Sequence, residues 1–411
     1  MAKLILEKDD TCRNILELSP INEIKVEKPD IFNYGVFHYE IPPEKIGEND
    51  FEYLQSKIPA YYMLYDDQID IPDKRNAIIC KVSGEAAKNV SEIVGIGIGL
   101  KAASFIFKIQ KKNIQKIGLS GKKEKRLDFR AKKNQEIVEI ETKGTTNTYT
   151  VRSMIKDIHD KKIGKINGVN RYGFVTLLRK DTDKDDSRIY ITDPDGEGNT
   201  TNYKGVYAFI NYYLIYLSFI LDNPQYNKLV RVLVNLVKFR KKIIKTEKIK
   251  YIFEYDKKKY YGQCFDKRLI KTFIDKYIES SATIDKLFKS LTDSIGVEKY
   301  FLGIDSEIIQ AINSKNISLL ENYISSDKYE KINEHEYIQM SDGILFIKSK
   351  DGSLPEMEEK FTEEEVKSRL GEIMNYEKNK WHECGAACRS RDIEGKPCEI
   401  KTFREHCHFH R

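Results

Sequence analysis

Two carboxylates and a lysine lie at strand spacing in the segment KRLDFRAKKNQEIVEIETKG, residues 125–144. They are Asp128, Glu141 and Lys143. Two carboxylates a few ångströms apart repel each other unless a hard cation such as Mg²⁺ is held between them. Such an ion polarises a phosphate oxygen and lowers the pKa of a bound water, and a lysine ammonium can hold or orient the attacking hydroxide. The residue types therefore predict metal-assisted hydrolysis of a phosphodiester bond.

The surrounding pattern predicts the hairpin that would bring these side chains together. Polar and apolar residues alternate over 126–131 and again over 137–143, with a polar turn between the two runs. Successive side chains on a strand point to opposite faces, so one face of the second strand carries Glu139, Glu141 and Lys143. Asp128 is then expected opposite Glu141 in the neighbouring strand.

Chance is the competing explanation, because 33% of the residues are charged and an Asp followed later by Glu-x-Lys is often a solvated strand face. Three features favour a functional site. The motif lies on a hairpin, and Gly144 follows the lysine directly. A helix candidate, VSEIVGIGIGLKAASFIF, precedes the hairpin and carries Glu92.

With these elements in this order, the sequence resembles the PD-(D/E)XK nuclease superfamily, which has the restriction-endonuclease-like fold. In that family a helix with a Glu precedes a hairpin that carries Asp on its first strand and Glu-x-Lys on its second. The matching positions are Glu92, Asp128, Glu141 and Lys143, and Leu127 stands where the family often has proline. The resemblance covers about residues 85–195. It implies that Asp128 and Glu141 hold Mg²⁺ or Mn²⁺, that Lys143 activates or orients water, and that Glu92 contributes from the helix.

The elements after the hairpin complete the predicted fold. YTVRSMIKDIHDKKIG predicts a helix ending in Lys161 and Lys162, and RYGFVTLLRK and SRIYITDPDG predict strands. The predicted class is α/β, with a mixed central sheet flanked by helices, an N-terminal extension, a mainly helical C-terminal region and a small zinc-binding tail. The predicted divisions are an N-terminal extension or small domain, a nuclease domain, an α+β accessory region and the tail, at 1–80, 81–245, 246–380 and 381–411.

Two apolar segments also require an interpretation. GVYAFINYYLIYLSFIL, residues 205–221, is uncharged over 17 residues, just short of the roughly 20 that a membrane helix needs. Its four tyrosines, Asn211 and Ser218 predict a buried helix packed on the nuclease core instead of a membrane span. GIGIG, residues 95–99, lacks the full dinucleotide-binding pattern, so its small residues predict close helix packing.

The segment WHECGAACRSRDIEGKPCEIKTFREHCHFHR, residues 381–411, holds four of the seven cysteines and four of the seven histidines. Without a secretion signal, zinc explains both residue types better than disulfides do. Four such ligands can fold a segment too short to bury a core. The spacing resembles small zinc motifs of the form C-G-A-x-[TC]-R, then G-x-P-C, then C-x-x-H. That resemblance implies the zinc ligands Cys384, Cys398, Cys407 and His410, with Cys388 as an alternative and His382 or His408 as possible substitutes.

Composition bounds the remaining expectations. The chain has 411 residues, is 40% hydrophobic and carries a net charge of +6, which permits nucleic-acid binding without requiring it. The start MAKLILEKDD has no signal-peptide core, so we expect a cytoplasmic protein without a membrane partner.

The sequence therefore predicts a metal-dependent nuclease whose partner is nucleic acid, with DNA favoured over RNA as the substrate. By resemblance its setting would be bacterial restriction or anti-phage defence. The alternative is a non-catalytic nucleic-acid-binding or interaction protein that works through its zinc tail. A homo-oligomer or a protein partner is compatible with either function.

Overall fold

The structure is a computed structural model. It describes residues 1–12, 20–39, 68–117, 127–133, 136–162, 169–192, 205–234, 244–249, 251–266 and 299–349, and the short segments 353, 358–359, 382–383 and 401–402. The chain forms two compact units, Met1–Glu358 and Glu359–Arg411. The first is a mixed α/β structure in which multistranded sheets are flanked by helices, as predicted.

The described residues up to Thr192 form the strands β1 (Ala2–Lys8), β2 (Glu23–Val26), β3 (Ile69–Asp70), β4 (Ile79–Cys80), β5 (Ile114–Lys116), β6 (Phe129–Lys133), β7 (Glu136–Thr145), β8 (Val169–Leu177), β9 (Arg179–Lys180) and β10 (Arg188–Thr192). The helices of the described residues are α1 (Lys28–Gly35), α2 (Gly84–Phe107), α3 (Thr148–Lys162), α4 (Gly205–Ile220), α5 (Asn223–Val234), α6 (Ser306–Ser314) and α7 (Ile317–Asn322). Short 3-10 turns lie at Asp10–Cys12, Val36–Tyr39, Lys111–Asn113 and Thr246–Lys248.

Seven of these strands form the first sheet, in the order β2-β1-β10-β8-β7-β6-β5. Strands β5, β6 and β7 are antiparallel neighbours, whereas β8 lies parallel to β7. Strand β10 is antiparallel to β8, and β1 is parallel to β10. The N-terminal strands β1 and β2 are therefore part of the same sheet as the predicted hairpin. Strands β3, β4 and β9 form a separate small sheet.

Helix α2 covers one face of this sheet, and its glycines allow a very close approach. A Cβ atom on Gly95 would lie 2.4 Å from the backbone nitrogen of Gly144 in β7. A Cβ on Gly99 would meet Thr142 at 2.7 Å, and one on Gly97 would meet the carbonyl oxygen of Ile31 in α1 at 2.4 Å. The prediction that GIGIG serves close helix packing is confirmed.

Among the described residues, one helix, α2, is a candidate membrane span. Its segment Ala86–Phe107 is long and apolar enough to cross a bilayer, but 78% of its most apolar window is buried inside the structure. Burial of this kind is typical of a core helix.

Helix α3 packs on the opposite face of the sheet. Val151 and Ile158 of the helix form a small apolar cluster with Val175 and Leu177 of β8. Asn147 directly precedes this helix. Its side chain accepts a hydrogen bond from the backbone N–H of Tyr149, which satisfies one of the free donors of the first turn. The predicted helix and the two predicted strands after it are confirmed.

A second, antiparallel sheet follows. Its strands are β11 (Tyr251–Tyr255), β12 (Lys258–Asp266), β13 (Lys299–Asp305), β14 (Lys328–Ile332), β15 (His335–Gln339) and β16 (Ile344–Ser349), in the order β14-β15-β16-β13-β12-β11. Three further short strands are β17 (Glu358–Glu359), β18 (His382–Glu383) and β19 (Lys401–Thr402).

The C-terminal region was predicted to be mainly helical, and much of it, including residues 267–298, lies outside the described residues. Its described residues 251–266 and 299–349 are mostly strand and include the helices α6 and α7.

The aromatic and β-branched residues of NYGVFHYEI, residues 33–41, predict a strand by their types. That prediction is wrong, because residues 33–39 form the end of α1 and the 3-10 turn after it. Phe37 and Val36 are fully buried there, so tertiary packing outweighs the β propensity of these residue types.

Helix α4 joins the two sheets. It contacts β5 of the first sheet and β12 and β13 of the second. Tyr212, Tyr213 and Tyr216 are buried, and the hydroxyl of Tyr213 donates to the backbone carbonyl of Asp342 at 2.9 Å. The prediction that this segment is a buried helix is confirmed.

Candidate active site

The hairpin of β6 and β7 brings Asp128 and Glu141 together. Phe129 is paired with Ile140, so Asp128 and Glu141 occupy the next position along the two chains. Asp128 lies one residue before β6 and not inside it, and its backbone carbonyl accepts a hydrogen bond from the N–H of Ile117. The predicted hairpin and its pairing are confirmed.

A lysine from α3 lies between the two carboxylates. The Nζ atom of Lys161 is 2.5 Å from Oε1 of Glu141 and 3.7 Å from Oδ1 of Asp128. Lys143 lies on the same strand as Glu141, and its Nζ is 3.3 Å from the same Oε1 atom. The site thus contains two carboxylates and two ammonium groups, contributed by the residue before β6, by β7 and by α3.

Glu141 is the most buried member of this group. Its side chain is 0% exposed, compared with 41% for Asp128 and 32% for Lys161. Both ammonium groups approach Oε1, whereas Oε2 is buried without a hydrogen-bond partner. An unsatisfied buried carboxylate oxygen is costly, so this atom marks a place where a further positive ligand would be favourable.

The pKa values of Glu141 and Lys161 are both raised by their surroundings. Burial, and then the charge of Asp128, raise the pKa of Glu141 against the opposing effect of Lys161 and Lys143. Burial alone would lower the pKa of Lys161, but the charges of Asp128 and Glu141 outweigh it and raise the pKa. The ammonium of Lys161 is therefore held in its charged form by the two carboxylates.

Glu139, on the same strand face as Glu141, has a different environment. Its Oε2 accepts from Nε of Arg171 on β8 at 3.0 Å, and both side chains are buried. This pair lies in the interior of the sheet. Glu139 and Glu141 are therefore both buried, and the acidic part of this face of β7 is not solvated.

Glu92 is exposed on α2, directly after Ser91, whose carbonyl oxygen packs against Gly144. The described residues hold no group of three carboxylate, imidazole or thiolate side chains gathered around one metal position. Of the four predicted site residues, the structure brings together Asp128, Glu141 and Lys143. The contribution of Glu92 stays a prediction.

The donor set of the pair fits a hard divalent cation. Asp128, just before β6, and Glu141, on β7, supply carboxylate oxygens from opposite sides of the hairpin, and Glu141 retains one buried oxygen with no partner. Mg²⁺ and Mn²⁺ prefer oxygen ligands and commonly use one or two carboxylates together with water or phosphate oxygens. These two residues would hold the ion.

A second polar cluster lies in the same row of the sheet. Glu141 pairs with Gly173 on β8, and Gly173 pairs with Thr192 on β10. Nε2 of His159 is 2.7 Å from the Thr192 hydroxyl and 3.5 Å from a carboxylate oxygen of Asp9. Burial alone would raise the pKa of Asp9, but hydrogen bonds from threonines outweigh it and lower the pKa. These contacts fix the last turn of α3 against the sheet.

Lys161 is the site residue to which the sequence interpretation gave no role. The helix that contains Lys161 was predicted. The length of that helix could have indicated that Lys161 lies close to Glu141. Fifteen residues of helix span about 22 Å, which corresponds to about seven residues of strand. A helix that starts after β7 and precedes the parallel strand β8 must run back along β7, so its last turn returns to the level of Glu141.

Six of the predicted zinc ligands and their alternatives lie outside the described residues: Cys384, Cys388, Cys398, Cys407, His408 and His410. In the second unit, Glu359–Arg411, the short strands β18 and β19 are antiparallel, with His382 paired with Thr402 and Glu383 with Lys401.

Comparisons with known proteins give no further guide. No family model matches the sequence, no curated protein matches it, and no solved structure matches the fold.

Proposed function

We propose that this protein is a metal-dependent nuclease that hydrolyses phosphodiester bonds, with DNA ahead of RNA as its substrate. The observation that carries the proposal is the juxtaposition of Asp128, Glu141 and Lys143 at one level of the β6–β7 hairpin. Charged residues placed together by chance are usually solvated, whereas Glu141 is fully buried with its charge compensated.

The order of elements supports the same proposal. Helix α2, the β6–β7 hairpin, helix α3 and the parallel strand β8 follow one another in the order that the resemblance to PD-(D/E)XK nucleases implies. Strand β5 extends the hairpin to an antiparallel unit of three strands. Because one fold can carry many functions, the order of elements adds to the argument from the site and does not replace it.

Each residue then has a defined role. Asp128 and Glu141 would hold Mg²⁺ or Mn²⁺, which when bound polarises a phosphate oxygen and activates water. The ammonium of Lys143, 26% exposed, can reach the solvent-facing side of the site, where it would orient the nucleophile and stabilise negative charge on the phosphate. Burial of Glu141 strengthens these interactions because the local dielectric constant is low.

The test is incubation of purified protein with linear, circular and single-stranded DNA and with RNA, each with Mg²⁺, with Mn²⁺ or with EDTA. We expect metal-dependent cleavage of at least one DNA substrate. A Lys143→Ala variant purified in the same way controls for contaminating nucleases.

The same experiment distinguishes the alternative function. If the protein binds these substrates and cleaves none of them with either metal, a non-catalytic nucleic-acid-binding protein is the better description. The zinc tail, a cytoplasmic location and a role in bacterial restriction or anti-phage defence are proposals that rest on the sequence alone.

A further inference from the structure

We propose that Lys161 occupies the cation position of the site when no metal is bound, and that a divalent ion must displace it. This inference rests on the metal site of the proposed function. It adds a role for a residue that lies on α3, outside the hairpin that carries the motif.

The position of the ammonium group is the first argument. Nζ of Lys161 is within 4 Å of an oxygen from each carboxylate, at 2.5 Å from Glu141 and 3.7 Å from Asp128. Among the described ion pairs, Lys143 contacts Glu141 and does not contact Asp128. Within the described part of the chain, Lys161 is therefore the residue that bridges the two groups that would hold a metal.

The cost of an unpaired Glu141 is the second argument. Asp128 and Glu141 are neighbouring anions, and Glu141 is fully buried, so leaving both without a cation would be strongly unfavourable. A single bridging ammonium removes much of that penalty. The folded protein is thereby stable before it meets metal.

Mutual exclusion is the third argument. A divalent ion bound to the same two carboxylates would lie within a few ångströms of the Lys161 ammonium and would repel it strongly, so the two cations exclude each other. Lys161 is 32% exposed and lies in the last turn of α3, so its flexible side chain can swing outward. Metal affinity is then set by competition between two cations for one site.

A structural ion pair is the competing explanation. In that case Lys161 stabilises the C-terminal turn of α3 against β7 and keeps its position when metal binds. The two explanations predict opposite effects on metal affinity, because removing a competitor tightens binding, whereas removing a supporting interaction weakens or does not change it.

The experiment compares the parent protein with Lys161→Gln and with Lys156→Gln, an exposed lysine of the same helix. Mn²⁺ binding is measured by electron paramagnetic resonance without nucleic acid. We expect Lys161→Gln to bind Mn²⁺ about tenfold more tightly than the parent does, while Lys156→Gln is unchanged. Equal or weaker binding by Lys161→Gln, or no binding by any of the three proteins, overturns the proposal.

A second measurement uses the unmodified protein, in case Lys161→Gln does not fold. Acetylation of lysines by acetic anhydride is quantified by mass spectrometry with and without saturating Mn²⁺. Displacement predicts severalfold faster labelling of Lys161 with metal, with Lys156 as the internal reference. Labelling that is unchanged or slower with metal overturns the proposal. Because neither measurement uses nucleic acid, a protein that binds metal in this way but cleaves nothing would contradict the nuclease function alone.

Discussion

The two oxygens of Glu141 have unequal surroundings. Oε1 receives two lysine ammonium groups, and Oε2 is buried without a partner. A purely structural ion pair would gain from satisfying both oxygens, since each unmet buried acceptor costs about 1–3 kcal/mol. The unsatisfied oxygen is therefore more consistent with a site that binds a further ligand than with a finished structural contact.

The first prediction concerns Asp128 and Lys143. Under the proposed function, Asp128→Ala would remove a metal ligand, and Lys143→Ala would remove a charge next to the developing negative charge of the reaction. Each should lower the cleavage rate about hundredfold or more, while the fold and nucleic-acid binding are retained. The measurement is single-turnover cleavage, together with circular dichroism and a binding assay.

Matched controls for these variants lie on the exposed face of α3. Lys156→Ala and Asp157→Ala change the same charges at exposed positions and should cleave at the parent rate. Glu139 lies on the same face of β7 as Glu141, but it is a poor control because it forms a buried pair with Arg171. Parent-like cleavage by both Asp128→Ala and Lys143→Ala would rule out the assigned active site.

At the scale of elements, the contact between α2 and β7 holds the hairpin in place. A Cβ atom on Gly144 would lie 1.6 Å from the carbonyl oxygen of Ser91, and backbone cannot move aside as a flexible side chain can. The glycine that follows Lys143 in the motif is thus required by packing. Strand and helix must touch through backbone at the level of the site.

The second prediction follows from this close approach. Gly144→Ala should lower the free energy of unfolding by about 1–3 kcal/mol or more, because overpacking forces α2 away from the sheet. The measurement is urea-induced unfolding. Lys132→Ala, an exposed change on β6, should have little effect. Equal stability of Gly144→Ala and the parent would show that this close approach does not contribute as described.

The elements that could be predicted are those with a clear periodic signal. Alternation marked β6 and β7, and an amphipathic pattern followed by two lysines marked α3. Strand β13 was missed because it is buried on both faces, so its residues from Tyr300 to Asp305 show no alternation. The contact of Lys161 with Glu141 depends on how α3 crosses the sheet, which no local pattern contains.

At the scale of the first unit, buried lysines connect the two sheets. Lys112, between α2 and β5, donates to the carbonyl oxygens of Leu320 and Tyr323, next to the second sheet, at 2.7 and 2.8 Å. Its neighbour Lys111 forms an ion pair with Asp342 at 2.8 Å. Helix α4 packs beside this connection through the hydrogen bond from Tyr213 to Asp342.

The third prediction uses the pH dependence of this connection. Burial lowers the pKa of Lys112 from 10.5 to about 8. Between these two values the unfolded chain binds a proton that the folded chain has released, so this group makes stability rise with pH. Lys112→Met removes that contribution. The parent should therefore gain stability relative to the variant from pH 8 to 10.5, as measured by urea unfolding at several pH values.

A control for the pH prediction is Lys74→Met, at an exposed position. Its difference from the parent should not vary over the same range. Parallel curves for the parent and Lys112→Met would show that Lys112 has no lowered pKa.

The second unit, Glu359–Arg411, contains the proposed zinc site. A closed shell of four ligands leaves no position for water, so the ion would be structural and take no part in hydrolysis. A segment this short and polar has little apolar surface to bury, and metal binding would supply most of its folding free energy. Loss of zinc should therefore affect this unit and leave the chemistry of the first unit unchanged.

The fourth prediction tests this separation. Purified protein should contain about one zinc per chain by elemental analysis, and Cys398→Ser should release it and make residues 381–411 sensitive to limited proteolysis. Cys264→Ser, in β12 of the first unit, should keep the zinc. Protein purified without chelators that contains no zinc would contradict the metal site.

Truncation before Trp381 tests whether the basic residues of the tail hold substrate. If they do, the shortened protein should bind nucleic acid more weakly, because fewer lysine and arginine side chains neutralise phosphates. The slope of log affinity against log salt concentration should then decrease by about one unit for each phosphate that is no longer neutralised. The single-turnover cleavage rate should not change, since the proposed active site lies in the first unit. Unchanged binding after truncation would instead assign the tail to a protein partner.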